Sequence, residues 1–481
     1  MAQGTLRAGA ARRIITPPTG IAMVGWHYRA AGDPMARYVH DDLYVKALVL
    51  QRGDSAWALL ATDLVGVDAV STASIRQGIA QQTNLAPESI LVSATHCHSG
   101  PAVCPVASAT SPDERGSTTV RADGSVPPSY GKKSAVSPTA YYVGLMDPAW
   151  KEWFVNQAIE ATVEAARSLK PAEVAFGQAE VQGVASSRRV LLSDGTWADP
   201  RRDPTPESHV VSRTEIDPLV RVMLLRQQET KTPLAAIVNY GSHPWVFSIS
   251  GFSAELAGAT ADAVAAAWGS PETELPIVLY TTGPQGDVTL IWNIDLEQVW
   301  KTRPGESSEE SLRRRELGFE RDLDRLSKRL TQGVMTAIAG ADDWDATPEL
   351  SGHRQEVSLP LKVGYERPSE VLLADWQEAA PESHHLTEVQ VLRVGNAALL
   401  GLPGEPFTSL GRAIRERSPF RRLLIAALAN EFGAFGYVGD RAAHGRGGYE
   451  LTHTPLAAGA GEMLVDQAVD LLEAAGLQEP H

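Results

Sequence analysis

Short apolar, β-branched runs alternate along this chain with segments in which apolar residues recur every three to four positions. The apolar runs predict strands over 43–51, 56–64, 90–98, 219–225, 234–240, 276–282, 389–402 and 423–430. The helical period predicts helices over 148–169, 254–268, 308–339, 409–417 and 462–475. Strands and helices mixed over this length indicate an α/β fold, in which mixed β-sheets are flanked by helices in layers.

Two polar segments interrupt this pattern. Residues 107–140 are rich in Ser, Thr, Pro and Gly and follow the predicted strand 90–98, and residues 191–213 are polar and contain several prolines. Each is either a partly disordered insertion or a lid over a functional site. Because no break in composition marks a boundary, the sequence predicts one large domain over residues 1–481.

Composition narrows the classes of function. The chain has 481 residues, 43% of them hydrophobic and 21% charged, which is an ordinary globular balance. Its net charge of −15 argues against a general nucleic-acid or anionic-membrane surface, and no apolar run is long enough to insert stably across a bilayer. The N-terminus shows no apolar signal region, so a cytoplasmic protein is expected, with Cys97 and Cys104 as reduced thiols.

The clearest candidate chemistry lies where the predicted strand 90–98 ends, in the sequence His96-Cys97-His98 followed by Ser-Gly-Pro. Alternate side chains of an extended strand point to one face, so His96 and His98 are expected to project together while Cys97 points away. Two imidazole groups at one point suit a metal ligand paired with a proton-transfer group. The alternative is a strand end that carries two hydrogen-bonded histidines.

Three later segments also end an apolar run with a polar or metal-capable side chain. His243 follows the run that begins at Ala236, Glu405 follows Leu-Pro-Gly, and Tyr437 lies shortly before the pair Tyr449-Glu450. Loops at strand ends are where α/β proteins collect functional groups. Taken one at a time, each has a structural alternative: a surface histidine before proline, a helix-capping glutamate and a core tyrosine.

Together these segments resemble the neutral/alkaline (non-lysosomal) ceramidase family, and more closely its short, single-domain bacterial relatives. The resemblance runs from Arg7 to Glu450 and covers nearly the whole chain. It is carried by motifs in the family's order, which are Ala8-Gly-Ala-Ala-Arg-Arg-Ile-Ile-Thr-Pro-Pro-Thr-Gly with Met23-Val-Gly, Thr95-His-Cys-His-Ser-Gly-Pro, Gly183-Val-Ala-Ser-Ser-Arg188-Arg189, Asn239-Tyr-Gly-Ser-His243-Pro, Gly286-Asp287-Val288-Thr289, Pro403-Gly-Glu405, and Tyr437 with Tyr449-Glu450.

The resemblance implies a zinc-dependent hydrolase that cleaves an N-acyl (carboxamide) bond of a small molecule. Position by position it implies four Zn²⁺ ligands, which are His96, His243, Glu405 and Tyr437. It also implies residues that move the proton, contact the substrate or complete the catalytic site, which are His98, Arg188, Thr289 and Tyr449. Zn²⁺ accepts mixed nitrogen and oxygen ligands, and a catalytic zinc lowers the pKa of a water to about 7. We interpret Asp287 as an orienter of a ligand histidine, with a helix N-cap as the alternative.

The chain departs from the family pattern in several places. Four residues differ from those of the family's motifs: Cys97, Ser187, Thr289 and Pro406. Full-length ceramidases carry a C-terminal β-sandwich domain, which this sequence is expected to lack, and they are usually secreted or membrane-associated. These differences bear on ceramide as the substrate more than on the zinc chemistry.

Three functions stay open at this stage. The first is the zinc amidohydrolase, and the second keeps the metal site but cleaves an ester or lactone, since both reactions pass through a tetrahedral oxyanion. The third is a non-catalytic binding protein on the same scaffold; against it, the four ligand positions and His98 are intact.

The aromatic residues Trp26, Trp245 and Phe407 form either an apolar pocket or part of the core. The sequence also leaves open whether the chain forms a homo-oligomer.

Overall fold

The structure is a computed structural model, which describes residues 4–24, 35–101, 103, 147–199, 207–246, 249–291, 303, 305–362, 366–368, 376–378, 384–432, 436–452 and 454–476. Its strands are β1 (Arg7–Ile14), β2 (Tyr38–Val39), β3 (Tyr44–Arg52), β4 (Ser55–Thr62), β5 (Ile90–Ala94), β6 (Lys170–Glu180), β7 (Ala185–Ser187), β8 (Val190–Leu192), β9 (Trp197–Ala198), β10 (Val210–Arg213), β11 (Leu219–Gln227), β12 (Pro233–Tyr240), β13 (Gly251–Phe252), β14 (Ile277–Thr282), β15 (Val288–Leu290), β16 (Leu350–Pro360), β17 (Glu366–Pro368), β18 (Trp376–Glu378), β19 (His384–Val394), β20 (Ala397–Gly401), β21 (Glu405–Pro406), β22 (Arg422–Ala426) and β23 (Tyr437–Val438). Its α-helices are α1 (Ala69–Ala80), α2 (Pro148–Arg167), α3 (Glu255–Trp268), α4 (Ser308–Ala339), α5 (Thr408–Arg417), α6 (Arg441–Arg446), α7 (Tyr449–Thr452) and α8 (Ala460–Gly476).

Two large mixed sheets form the centre of the described part of the chain. The first has eight strands in the order β14-β12-β11-β6-β1-β3-β4-β5, and the second has four in the order β16-β19-β20-β22. Most neighbouring strands are antiparallel, but β4 with β5, β12 with β14, and β20 with β22 are parallel pairs. The predicted mixed sheets are therefore confirmed.

The side chains of each central strand face two different hydrophobic cores. In β3, Leu48 and Leu50 belong to a cluster that also contains Leu399 of β20, so the two sheets pack face to face. The alternate residues Ala47 and Val49 belong to a cluster under α1 and α2 on the outer face. Helices α3 and α4 cover the other half of that face, and α5 and α8 cover the second sheet. The result is four layers in the order helices, sheet, sheet, helices. Mixed sheets flanked by helices are what the sequence predicts.

The single predicted strand 389–402 is wrong. The segment is a hairpin of β19 and β20, because Gly395 turns the chain with φ at 59°. The segment 191–213, predicted as a partly disordered insertion or a lid, contributes its described residues to a small sheet of β10, β8 and β9. The predicted lid 107–140 lies outside the described residues, as do Cys104 and Trp26. Within the described ranges, no helix combines the length and the apolar character needed to cross a membrane.

The ends of several strands meet at the seam between the two sheets. Ser93 of β5 forms a bridge with Ala429, which follows β22. Thr282, the last residue of β14, donates its hydroxyl to the carbonyl of Thr95 (2.8 Å), and the amide of Ala427 donates to the carbonyl of Thr282 (2.8 Å). The loops that follow these strands therefore lie side by side, and they carry the candidate residues.

Candidate functional site

Residues 96–99, called the histidine turn below, form an irregular segment that bends at His98 and is not the end of a strand. Strand β5 stops at Ala94, and His96 has φ at 68°, in the left-handed region. The two imidazole rings nevertheless lie together, with centroids 4.6 Å apart and ring planes perpendicular. Their proximity is as predicted, but the strand alternation from which it was predicted is wrong. Cys97 is fully buried and donates its thiol to the carbonyl of Ser253 (2.8 Å).

Glycine residues allow the loop of Glu405 to approach its neighbour. Gly404 has φ at 62°, which places the next residue in the site. A Cβ atom on Gly286 would lie 2.3 Å from the carbonyl oxygen of Glu405, so the two backbones touch at a position that only glycine permits. Glu405 is in turn the register partner of Tyr437 in the short parallel pair β21–β23. Two predicted ligand positions are thus adjacent through backbone pairing.

Three of the four predicted metal ligands converge at one point. Oε2 of Glu405 lies 2.9 Å from Nε2 of His243 and 3.3 Å from Nε2 of His96. All three side chains are buried. Ring nitrogens of His96, His98 and His243 lie within 4.8 Å of one another, so His98 borders the same point. Two ligand atoms bound to one tetrahedral Zn²⁺ lie roughly 3.3 Å apart, which agrees with these spacings.

The hydrogen bonds of His96 and His243 determine which kind of ligand fits between these side chains and Glu405. Nδ1 of His96 lies 2.8 Å from the carbonyl of Val65, and Nδ1 of His243 lies 2.9 Å from that of Val288. A carbonyl only accepts, so in the neutral rings both Nδ1 atoms carry the proton and both Nε2 atoms present lone pairs. Those lone pairs face Oε2 of Glu405, which has no aligned hydrogen-bond donor. Converging lone pairs repel unless a cation lies between them, so the residues fit a divalent metal.

The protonation states of the cluster also suit metal binding. Burial and the nearby Arg188 lower the pKa of His243 to about 3, and burial lowers the pKa of His98 well below its ordinary value. Burial opposes ionisation of Glu405, but the adjacent imidazole groups hold its pKa well below the usual range. Near neutral pH His98 and His243 are therefore neutral imidazoles and Glu405 is an ionised carboxylate, the forms in which these groups bind metals.

Tyr437 and Arg188 border the cluster. The ring of Tyr437 stacks on His243, with centroids 6.4 Å apart, and meets Tyr449 edge-on at 5.9 Å. The guanidinium of Arg188 lies 5.0 Å above the ring of Tyr437, and its Nη1 lies 3.4 Å from Nε2 of His243. Burial raises the pKa of Tyr437 above its ordinary value, although Arg188 opposes this shift. The structure thus brings these three predicted residues to the edge of the cluster.

Glu450 is a functional candidate that the sequence analysis quoted only as part of a motif. Its Oε1 lies 2.7 Å from Nε of Arg188, and its Oε2 accepts a hydrogen bond from Nη1 of Arg189 (2.8 Å). The Arg188 contact is an ion pair without hydrogen-bond alignment. All three side chains are buried. Two consecutive arginines at a strand end were the available signal, because buried guanidinium groups require a buried acid.

We expect Glu450→Leu to lower the free energy of unfolding by about 3–5 kcal/mol, because it leaves two buried guanidinium groups without their shared carboxylate. Urea denaturation of the purified variant measures this change. The matched control is Glu356→Leu at an exposed position of β16, which is expected to stay within about 0.5 kcal/mol of the wild type. Equal stability of the two variants would contradict the prediction.

Asp287 does not have the orienting role predicted for it. Its carboxylate accepts hydrogen bonds from the amide (2.9 Å) and hydroxyl (3.0 Å) of Thr408, so it fixes the start of α5. The carbonyls of Gln285 and Val288, on either side of it, receive Nδ1–H of His243 instead. Asp287 is not the N-cap residue of α5 either, since that residue is Phe407, and it holds the first helical residue from another segment of the chain.

Thr289 and the other polar candidates differ in their surroundings. Thr289 is buried in β15 opposite Ser186 of β7, and its hydroxyl has no partner within the described residues. This strand pair places Arg188, whose amide donates to the carbonyl of Asp287 (3.0 Å). Asp63 is also buried; its carboxylate accepts from the amide of Tyr44, and burial raises its pKa to about 6.

Comparisons with known proteins agree with the fold. No family model matches the sequence, and no curated protein matches it. Among solved structures, neutral ceramidase from Pseudomonas aeruginosa is similar with a TM-score of 0.69 and 16% identity, over 98% of this chain and 75% of that chain. A ceramidase complexed with C2 is similar with a TM-score of 0.69 and 14% identity, over 99% of this chain and 76% of that one. Over nearly its whole length, the chain has the fold of a neutral ceramidase.

Proposed function

We propose that this protein is a zinc-dependent hydrolase of the neutral ceramidase type, which cleaves an N-acyl (carboxamide) bond in a small molecule. The observation that carries the proposal is the convergence of Nε2 of His96 (3.3 Å) and Nε2 of His243 (2.9 Å) on Oε2 of Glu405, which has no aligned hydrogen-bond donor. The likeness to solved ceramidases supports it.

His96, His243 and Glu405 would hold Zn²⁺, with Tyr437 beside them as the fourth ligand. When bound, Zn²⁺ polarises an amide carbonyl and makes a water nucleophilic near neutral pH. The three histidines form a second possible ligand set, since their ring nitrogens lie within 4.8 Å of one another. We favour Glu405 over His98, because its carboxylate oxygen faces both Nε2 atoms whereas the ring of His98 stacks on Trp245 (5.7 Å).

The remaining residues would manage the proton and the charge of the reaction. His98 is neutral near pH 7 and lies against His96, so it accepts the proton of the attacking water and passes it to the leaving amine. Arg188 stays charged and lies beside His243, where it stabilises negative charge that develops on the carbonyl oxygen. The hydroxyl groups of Thr289 and Tyr449 would orient the substrate.

Metal removal tests this proposal. We expect the purified protein to contain about one zinc per chain and to hydrolyse short N-acyl amines, because two imidazole nitrogens and a carboxylate oxygen converge on one buried point. Treatment with a strong chelator should abolish hydrolysis, and Zn²⁺ should restore it while Mg²⁺ does not. Metal analysis and rate measurements before and after chelation check this. Activity that survives complete removal of zinc would refute the proposal.

A substrate panel separates the amide from the ester hypothesis. Pairs of compounds that differ only in an N-acyl or O-acyl linkage present the same acyl group to the site. Amide hydrolysis with a kcat/KM comparable to that of the matched ester supports an amidohydrolase, because an amide is the more demanding substrate. Cleavage of esters and lactones alone would assign the second function. The cytoplasmic location stays a prediction from the sequence, which leaves open whether the chain forms a homo-oligomer.

A further inference from the structure

Glu255 is a fully buried glutamate that lies directly against the histidine turn. It is the first residue of α3 and the only charged residue on the buried side of that helix, and none of its surface is exposed. Its Oε2 accepts a hydrogen bond from the backbone amide of His98 (3.0 Å), and its Oε1 accepts one from the hydroxyl of Ser99 (2.8 Å). One carboxylate therefore holds two consecutive residues of the turn. A buried carboxylate is costly to desolvate, and its two hydrogen bonds to the histidine turn offset part of that cost.

The backbone of Glu255 is strained in a way that serves these contacts. Its φ is 51°, a left-handed conformation that costs energy for a residue with a long side chain. Such strain persists only where surrounding contacts over-determine it, and it concentrates at functional sites. Here the conformation turns the carboxylate towards His98 at the point where α3 begins.

A second layer of hydrogen bonds anchors the segment that carries Glu255. The carboxylate of Asp41 accepts from the hydroxyl of Ser253 and from the amide of Ala254, both at 2.6 Å. Ser253 also contacts the histidine turn, because its amide donates to the carbonyl of Ser99 (3.0 Å). The histidine turn is therefore attached to a rigid support on the side of α3.

We propose that Glu255 is a positioning residue, which fixes the backbone of His98 so that its imidazole stays beside the metal cluster. The inference rests on the proposed function, in which His98 transfers the proton. Glu255 acts through the backbone of His98, because its carboxylate accepts from that amide. His96 has its own anchor, the carbonyl of Val65, so the metal ligand should stay in place when Glu255 is removed.

Two substitutions separate the contact from general stability. Glu255→Gln keeps one oxygen to accept from His98, and its amide can donate to the hydroxyl of Ser99, which rotates to accept. Glu255→Gly removes the carboxylate but adopts a φ of 51° without strain, so it is expected to fold. The matched control is Glu173→Gln, which alters a buried carboxylate that pairs with Lys231, just before β12 and at the opposite end of that strand from His243.

Hydrogen exchange measures the contact without any reference to activity. In protein labelled with ¹⁵N-histidine, the backbone amide signal of His98 is identified by its loss in His98→Gln. We expect its exchange to be about 10–100-fold faster in Glu255→Gly and unchanged in Glu255→Gln and Glu173→Gln. Equal exchange in Glu255→Gly and the wild type would overturn the proposal.

Kinetics and metal content then test what the contact is for. Glu255→Gly should retain zinc and lose about 10–100-fold in kcat with little change in KM, and Glu255→Gln should restore kcat. The double variant Glu255→Gly/His98→Gln should be no slower than His98→Gln alone, because both changes remove the same function. Additive losses, or loss of zinc in Glu255→Gly, would overturn the positioning role. A wild type without zinc or hydrolysis would refute the proposed function, and the exchange result would still decide whether Glu255 holds His98.

Discussion

His243→Ala is expected to lose both bound zinc and hydrolysis. Nε2 of His243 makes the shorter of the two histidine contacts to Glu405, and its Nδ1 is held by two backbone carbonyls, so no neighbouring side chain can take its place without moving the loop. A metal supplies several kcal/mol of transition-state stabilisation, and about 4 kcal/mol corresponds to roughly a thousandfold in rate. Zinc content by elemental analysis and kcat/KM for an N-acyl amine should therefore fall together.

The control for this variant is His384→Ala, which alters an exposed histidine at the first residue of β19. It should keep both zinc and activity. A His243→Ala protein that is folded, contains a full equivalent of zinc and hydrolyses the substrate at the wild-type rate would show that the cluster is not the metal site. His96→Ala is expected to behave as His243→Ala does, because its Nε2 faces the same carboxylate oxygen.

His98→Gln is expected to keep zinc and lose about 10²–10⁴-fold in kcat. Positioned proton transfer typically contributes this much, and glutamine fills a similar volume without a titratable nitrogen. The same variant decides between the two ligand sets, since loss of zinc from His98→Gln would place His98 among the ligands. Zinc content and single-turnover rates, measured on one preparation, separate the two outcomes.

The matched control is His353→Gln on β16, a partly buried histidine that contacts Ser351 in the same strand (3.1 Å). It should leave kcat and zinc unchanged. If His98→Gln retained full activity, another group would have to carry the proton, and the assignment of His98 would be wrong.

The layered fold was predictable from the sequence wherever strands are apolar. Strands such as β12 and β14 are buried on both faces and read as continuous hydrophobic runs. Strands β1, β6 and β16 were not predicted, because their sequences contain many Arg, Ala, Gly and polar residues and lack a clear alternation. These strands are identified by their pairing partners, which lie far away in sequence, and a local pattern does not contain that information.

The motifs selected several residues that the structure brings together, but they did not predict the geometry of the cluster. The motifs selected His96 and His98, yet the left-handed turn at His96 has no local signal such as glycine. Glu255 and Glu450 were not selected, because an acid at the start of a helix or beside a tyrosine is ordinary in sequence. Only tertiary contacts show that each carboxylate is buried against a functional neighbour.

The position of the cluster at the seam has a thermodynamic consequence. His96 and His243 extend from the eight-stranded sheet, whereas Glu405 follows β20 of the four-stranded sheet. A cation held by all three would link the two sheets. Its binding and the docking of one sheet on the other would then be coupled equilibria. By reciprocity, a bound cation stabilises the docked arrangement by the same factor by which docking raises the cation's affinity, and a change that lowers the docked fraction lowers the apparent affinity in proportion.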